Sequence, residues 1–184
     1  MARISTIENE AASPEVREIY ETTLRGKPNG LQKLLAHRPE LLKNFIPFYA
    51  SVGRSLHRRI YELVYIRVSM INACRYCLQH HLASSKRVGI SPEEWAKLSA
   101  GVYSSFAPQE QAALQFAEKL TRESRNVSDA DFAALKQYFS EEQIVDLDAL
   151  AALASFTNRV TDPLGAELEF PEEKIPEPAQ SAVL

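Results

Sequence analysis

The stretch Arg58-Arg59-Ile60-Tyr61-Glu62-Leu63-Val64-Tyr65-Ile66-Arg67-Val68-Ser69-Met70-Ile71, followed by Asn72-Ala73-Cys74-Arg75-Tyr76-Cys77-Leu78-Gln79-His80-His81, decides how this chain is read. Ile60, Leu63, Val64, Ile66, Val68, Met70 and Ile71 are dense enough for a helix buried on most of its sides, which makes it the central helix. Its β-branched residues would also suit a strand, but strict alternation is missing and no partner strand occurs elsewhere. Asn72-Ala73 marks a bend. A further helix is predicted from about Cys74 to Arg87, ending at Val88-Gly89, where glycine can adopt the left-handed conformation that closes helices.

Outward from this pair the punctuation is helical throughout. Met1 to Ala12 reads as an N-terminal arm, and Ser13-Pro14-Glu15 starts a helix through about Leu24 with a cap, a proline and an acidic first turn. Pro28-Asn29-Gly30 breaks it. After a short segment at Leu31 to Ala36, a helix from near Pro39 carries Leu41, Leu42, Phe45, Ile46 and Tyr49, with Pro47 predicting a kink or an early end. Ser91, Ser128 and Ser140 each precede an acidic or amide residue in the reciprocal capping pattern, and Pro108 opens a helix through Leu120. The last long helix, Glu141 to about Asn158, directs Ile144, Leu147, Leu150, Ala151, Ala154 and Phe156 to the core. Asp162 to Leu184 then reads as an extended Pro-rich tail. Trp95, Phe116, Phe132 and Phe139 are assigned to core or interface. The prediction is one all-α domain over residues 1–184.

The 184 residues carry 21 Lys plus Arg against 24 Asp plus Glu, a net charge of −3 without a long run of one sign, which argues against nucleic-acid binding. No apolar stretch is long enough for export or membrane spanning, so the cytoplasm is the expected location. The two cysteines, Cys74 and Cys77, are too few for a disulfide framework.

Their spacing is chemically suggestive. Cysteines at i and i+3 near a helix start share a face and can close a small disulfide ring, and His81 lies one turn beyond Cys77 where it can accept a thiol proton. The helix dipole favours a thiolate at Cys74, whereas the imidazole favours Cys77, so spacing alone does not choose the nucleophile. Glu62 can orient His81 if the chain bends near Asn72.

Glu62-x11-Cys74-x2-Cys77-x3-His81 resembles the motif of the AhpD-type alkylhydroperoxidases of the carboxymuconolactone decarboxylase superfamily. The resemblance is strong at about Leu56 to Gly89 and general elsewhere. It implies an all-helical AhpD-like bundle that assembles as a trimer or hexamer, with no metal, haem or flavin cofactor. It also implies that Cys77 attacks the hydroperoxide, that Cys74 supplies a proton and then forms the disulfide, and that Glu62 and His81 relay protons. The disulfide would be reduced by an external dithiol on a lipoyl-bearing or thioredoxin-like partner. AhpD proteins proper carry a histidine directly before the second cysteine; here stands Tyr76, a hydrogen-bond donor and poor base that could contact substrate.

The competing reading is a non-enzymatic helical oligomeric module whose cysteines are structural or bind metal through Cys74, Cys77 and His80 or His81, though no second ligand pair follows. His80 is assigned to surface or interface, and His37 and His57 to no function. Arg54, Arg58, Arg59 and Arg67 could recruit an anionic substrate, but solvated or paired positions explain them more simply.

Overall fold

The structure, a computed structural model, describes residues 3–170. The tail prolines at 171, 176 and 178 lie outside them. Helices follow in the order α1 (Pro14–Glu18, extended by a π-helical turn at Ile19–Thr23), α2 (Gly30–Leu35), α3 (Pro39–Ser51), α4 (Arg58–Ile71), α5 (Arg75–Arg87), α6 (Pro92–Ala100), α7 (Pro108–Glu123), α8 (Asp129–Leu135) and α9 (Glu141–Leu164). Among the described residues there is no strand.

The caps expected from sequence form. Ser13 Oγ accepts from the Val16 N–H, and Ser91 with Glu94 and Ser140 with Gln143 close reciprocal boxes that satisfy N–H groups otherwise orphaned at a helix start. Asp131 reaches back to the Ser128 N–H at 2.7 Å. α4 is the central element, buried without interruption from Ile60 to Met70, because α5, α6, α7 and α9 all pack against it. Each fully buried aliphatic side chain there contributes roughly 1.5–3 kcal/mol. One apolar cluster joins α4 to α1, α3 and α9; the other, around Trp95, Leu98 and Leu114, fills the space between α4, α5, α6 and α7.

Three expectations are corrected. α3 does not end early at Pro47 but runs on to Ser51; the Pro47 ring is on the exposed face, where water can take the carbonyl that the missing N–H leaves free. α9 continues past Asn158 and through Pro163 to Leu164, because Thr157, Asn158 and Thr161 still have buried partners; it ends at Gly165, with φ of +70°. Phe156, assigned to the core, is 42% exposed, and Leu41 is exposed to a similar degree (45%). Trp95, Phe116 and Phe139 are buried.

The bend between α4 and α5 positions the site. Ala73 adopts φ of +54°, a left-handed conformation costing a non-glycine residue roughly 1–2 kcal/mol. The Cys74 N–H donates to the Ser69 carbonyl at 2.9 Å, and the chain reverses so that α5 packs back along α4.

Candidate active site

The reversal brings the first turns of α4 against the middle of α5. Glu62, fully buried, places Oε2 2.6 Å from His81 Nδ1 and accepts from Ser84 Oγ at 2.8 Å, while Arg58 lies 2.8 Å from Oε1. Burial opposes the Glu62 charge, but the His81 hydrogen bond, followed by Ser84 and Arg58, outweighs it and holds the pKa below the usual value. An ionised carboxylate only accepts, so Nδ1 of His81 carries a proton and Nε2 is the nitrogen left for chemistry. Tyr65 stacks on the imidazole with centroids 3.9 Å apart, fixing the ring, and ties its own hydroxyl to Thr157.

Cys74 is the N-cap of α5: its sulfur accepts from the Cys77 N–H at 3.3 Å. The two free thiols lie 2.7 Å apart, and Thr161 Oγ1 from α9 sits 3.2 Å from Cys74 and 3.5 Å from Cys77. The hydrogen bond shared with the Cys77 thiol draws the Cys74 pKa down to about 7 against the cost of burial, helped by Thr161 and the Cys77 N–H. Cys77 is pushed up for the complementary reason: it shares that hydrogen bond with Cys74 and is buried beside the Cys74 charge. Acidity therefore resides on Cys74. Access does not, because Cys74 is fully buried while Cys77 lines a pocket of about 220 Å³.

His81 and His80 line the same pocket, with aromatic and aliphatic walls from Phe45, Ile46, Tyr49 and Tyr65. Tyr76 also contributes, but its hydroxyl is committed elsewhere, accepting from the Leu31 N–H at 3.1 Å and donating to Glu169 Oε1 at 2.8 Å. Glu169 belongs to the segment after α9, which turns back over α5; there Gln79 exchanges two hydrogen bonds with the backbone of Phe170. Glu169 Oε1 also accepts from the Gly30 N–H at the start of α2 and lies 3.4 Å from His80 Nε2. Burial disfavours this carboxylate, yet His80, the Gly30 N–H and Tyr76 together hold it at about 2.

Glu62 and His81 thus meet directly, as do Cys74 and Cys77, and the two pairs share a pocket through Cys77 and His81. The arginines are engaged within the chain: Arg59 with Glu94 and Glu110, Arg67 with Glu118, and Arg58 with Glu62. Among the described residues no group of three or more His, Cys, Asp or Glu side chains is arranged to hold a metal ion. Sequence reasoning missed Thr161 and Glu169 and put His80 at a surface or interface, whereas it lines the pocket. The polar trio Thr157, Asn158 and Thr161 at helical spacing on an apolar face was the available signal for α9.

Residues 39–119 match the carboxymuconolactone decarboxylase family. The uncharacterized protein YdfG of Bacillus subtilis (strain 168) is 31% identical over 113 residues, 60% of this chain and 77% of that one. Two solved structures are each 25% identical. One is described as an alkylhydroperoxidase AhpD core, an uncharacterized peroxidase-related protein from Ralstonia eutropha JMP134 (TM-score 0.78, covering 91% of this chain and 92% of that chain). The other is an uncharacterized peroxidase-related protein from Silicibacter sp. TM1040 (TM-score 0.74, covering 90% and 91%). With the motif, the helical architecture and these relatives in agreement, the chain belongs to the carboxymuconolactone decarboxylase family, on its AhpD-like side.

Proposed function

We propose that this protein is a thiol-dependent reductase of organic hydroperoxides, an enzyme of the alkylhydroperoxidase type. The observation that carries this reading is the division between the sulfurs: Cys77 lines the pocket beside His81, and the more acidic Cys74 lies behind it at 2.7 Å. As a hydroperoxide enters, the Cys77 proton passes to the Cys74 thiolate or to Nε2 of His81, and the Cys77 thiolate attacks the terminal peroxide oxygen. The O–O bond breaks, giving Cys77 sulfenic acid and, after protonation, an alcohol. Cys74 then attacks the sulfenic sulfur, releasing water and forming the Cys74–Cys77 disulfide. An external dithiol of the lipoyl or thioredoxin-like class restores both thiols through a mixed disulfide.

Among the described residues no Lys, Arg, Asp or Glu side chain lines the pocket, which fits an uncharged, apolar hydroperoxide. The exposed Leu41 and Phe48 on α3 and Phe156 on α9 fit a homo-oligomer, by family resemblance a trimer or hexamer; a concentration-independent single-chain mass in light scattering would exclude one.

The test is mass spectrometry after a stoichiometric pulse of hydroperoxide. Wild-type protein should form the Cys74–Cys77 disulfide, reversible by dithiol; Cys74→Ser should stop at a sulfenic acid on Cys77 that a dimedone-type probe labels. Cys77→Ser should neither consume hydroperoxide nor be labelled. A sulfenic acid on Cys74 in that variant would reverse the roles, and thiols unchanged in the wild type would end the reading.

A further inference from the structure

Cys77 has two imidazoles one turn along α5, His80 at i+3 and His81 at i+4, and all three residues line one pocket. Each imidazole is backed by a carboxylate from a different element. His81 has Glu62 of α4 at 2.6 Å; His80 has Glu169 of the C-terminal segment at 3.4 Å. The second carboxylate is a built feature. Its Oε1 is gripped by the Tyr76 hydroxyl and the Gly30 N–H, and a Cβ on residue 30 would come within 3.1 Å of that oxygen and 3.2 Å of the Tyr76 ring. Tyr76 and His80 are themselves one turn apart with ring centroids at 4.4 Å, so Tyr76 holds both the carboxylate and the flank of the imidazole it serves.

Peroxide reduction by a thiolate makes two opposite proton demands: the attacking sulfur must lose a proton and the departing alkoxide must gain one. One histidine meets both only by cycling between them. We propose that His80, positioned by Glu169 and Tyr76, is the general acid of the first step and protonates the leaving alkoxide while the His81–Glu62 pair serves the attacking sulfur. This inference rests on the hydroperoxide reading above. In the step, Cys77 sulfur takes the terminal oxygen, the O–O electron pair goes to the alkoxide oxygen, and the proton on the His80 imidazolium passes to that oxygen to give the alcohol. His80 then regains a proton from solvent, and Glu169 stabilises the imidazolium at each turn. His80 is a catalytic residue on this account and Glu169 a positioning residue.

The prediction separates leaving groups. An alkyl hydroperoxide such as tert-butyl hydroperoxide leaves a strongly basic alkoxide that needs a proton, whereas a peroxyacid such as peracetic acid leaves a carboxylate that does not. In rapid-mixing measurements of the first thiol oxidation, His80→Gln should lower the rate with tert-butyl hydroperoxide by about 10²-fold, the lower end of general acid–base effects. Its rate with peracetic acid should change by no more than about twofold. Glu169→Gln should shift the ratio of the two rates in the same direction by less, which a merely structural role would not do because both rates would fall together. A His80→Gln protein whose two rates fall equally, or do not fall, overturns the assignment while leaving the peroxidase reading intact. A wild-type protein that tert-butyl hydroperoxide does not oxidise overturns both.

Discussion

α4 buries two opposite charges five residues apart, and their surroundings differ in kind. Arg67, 4% exposed, faces the cluster around Leu98 and is closed in by Glu118 at 2.8 Å, the Leu98 carbonyl at 2.7 Å and the face of Tyr103. Glu62, fully buried, faces the pocket, and its close partner is an imidazole whose other nitrogen is uncommitted to it. A guanidinium never titrates in a working pH range, so Arg67 makes a permanent clamp between α4, α6 and α7. A histidine can take up and release a proton, so the charge at Glu62 is placed where proton movement can be felt. Burial of a charge is common to both sites; a partner that can exchange its proton beside a pocket separates chemistry from architecture.

The largest expected effect would break the architectural side. Arg67→Met leaves Glu118 without its buried cation and the Leu98 carbonyl without its donor, and should destabilise by about 3 kcal/mol in denaturant unfolding, with the thiol oxidation rate of the folded fraction unchanged. Glu62→Gln should do the reverse, slowing the first oxidation by about 10²-fold and shifting the unfolding midpoint little, because the amide keeps the shape and still meets Nδ1 as an acceptor. Equal losses of rate and stability in both variants would erase the distinction.

Finer changes sharpen it. Thr161→Val removes one of the groups that hold the Cys74 pKa at about 7, so the thiolate seen by ultraviolet absorbance should titrate at higher pH. A lowered folded-state pKa favours the native state as pH rises from about 7 toward the ordinary thiol value near 8.5, and that gain shrinks in the variant. A midpoint that stays in place would show the threonine to be packing only. The smallest effect belongs to Arg58→Ala, since a side chain 62% exposed shares its ion pair with water; stability should move by less than about 1 kcal/mol and the rate by less than about threefold, both shrinking further in salt.

Local features were legible because they are written in adjacent residues. The caps at Ser13, Ser91 and Ser140, the all-round burial of α4, the bend at Asn72-Ala73 and the Glu62-His81 and Cys74-Cys77 pairs need only helical spacing and one reversal. What escaped depends on contacts between distant parts of the chain. Thr161 reaches Cys74 across 87 residues and Glu169 reaches Tyr76 across 93. Pro163 reads as a stop because propensity is local, and only the burial of Thr157, Asn158 and Thr161 against α4 and α5 shows why the helix continues. His80 looked dispensable beside His81 for the same reason: its carboxylate arrives from the far end of the described chain.

The left-handed Ala73 has a consequence for the order of events during folding. It closes a helical hairpin whose Glu62–His81 contact spans only 19 residues, and such local contacts form with little loop-closure cost, whereas the α9 contacts must wait for long loops to close. The Glu62–His81 pair should therefore form before the sulfur pair acquires its α9 wall, leaving a newly made chain with two closely spaced thiols open to oxidants until its last helix docks. Pulsed alkylation during refolding should find the cysteines becoming protected together with the α9 amides; protection that arrives with the hairpin instead would show that α4 and α5 shield the sulfurs by themselves.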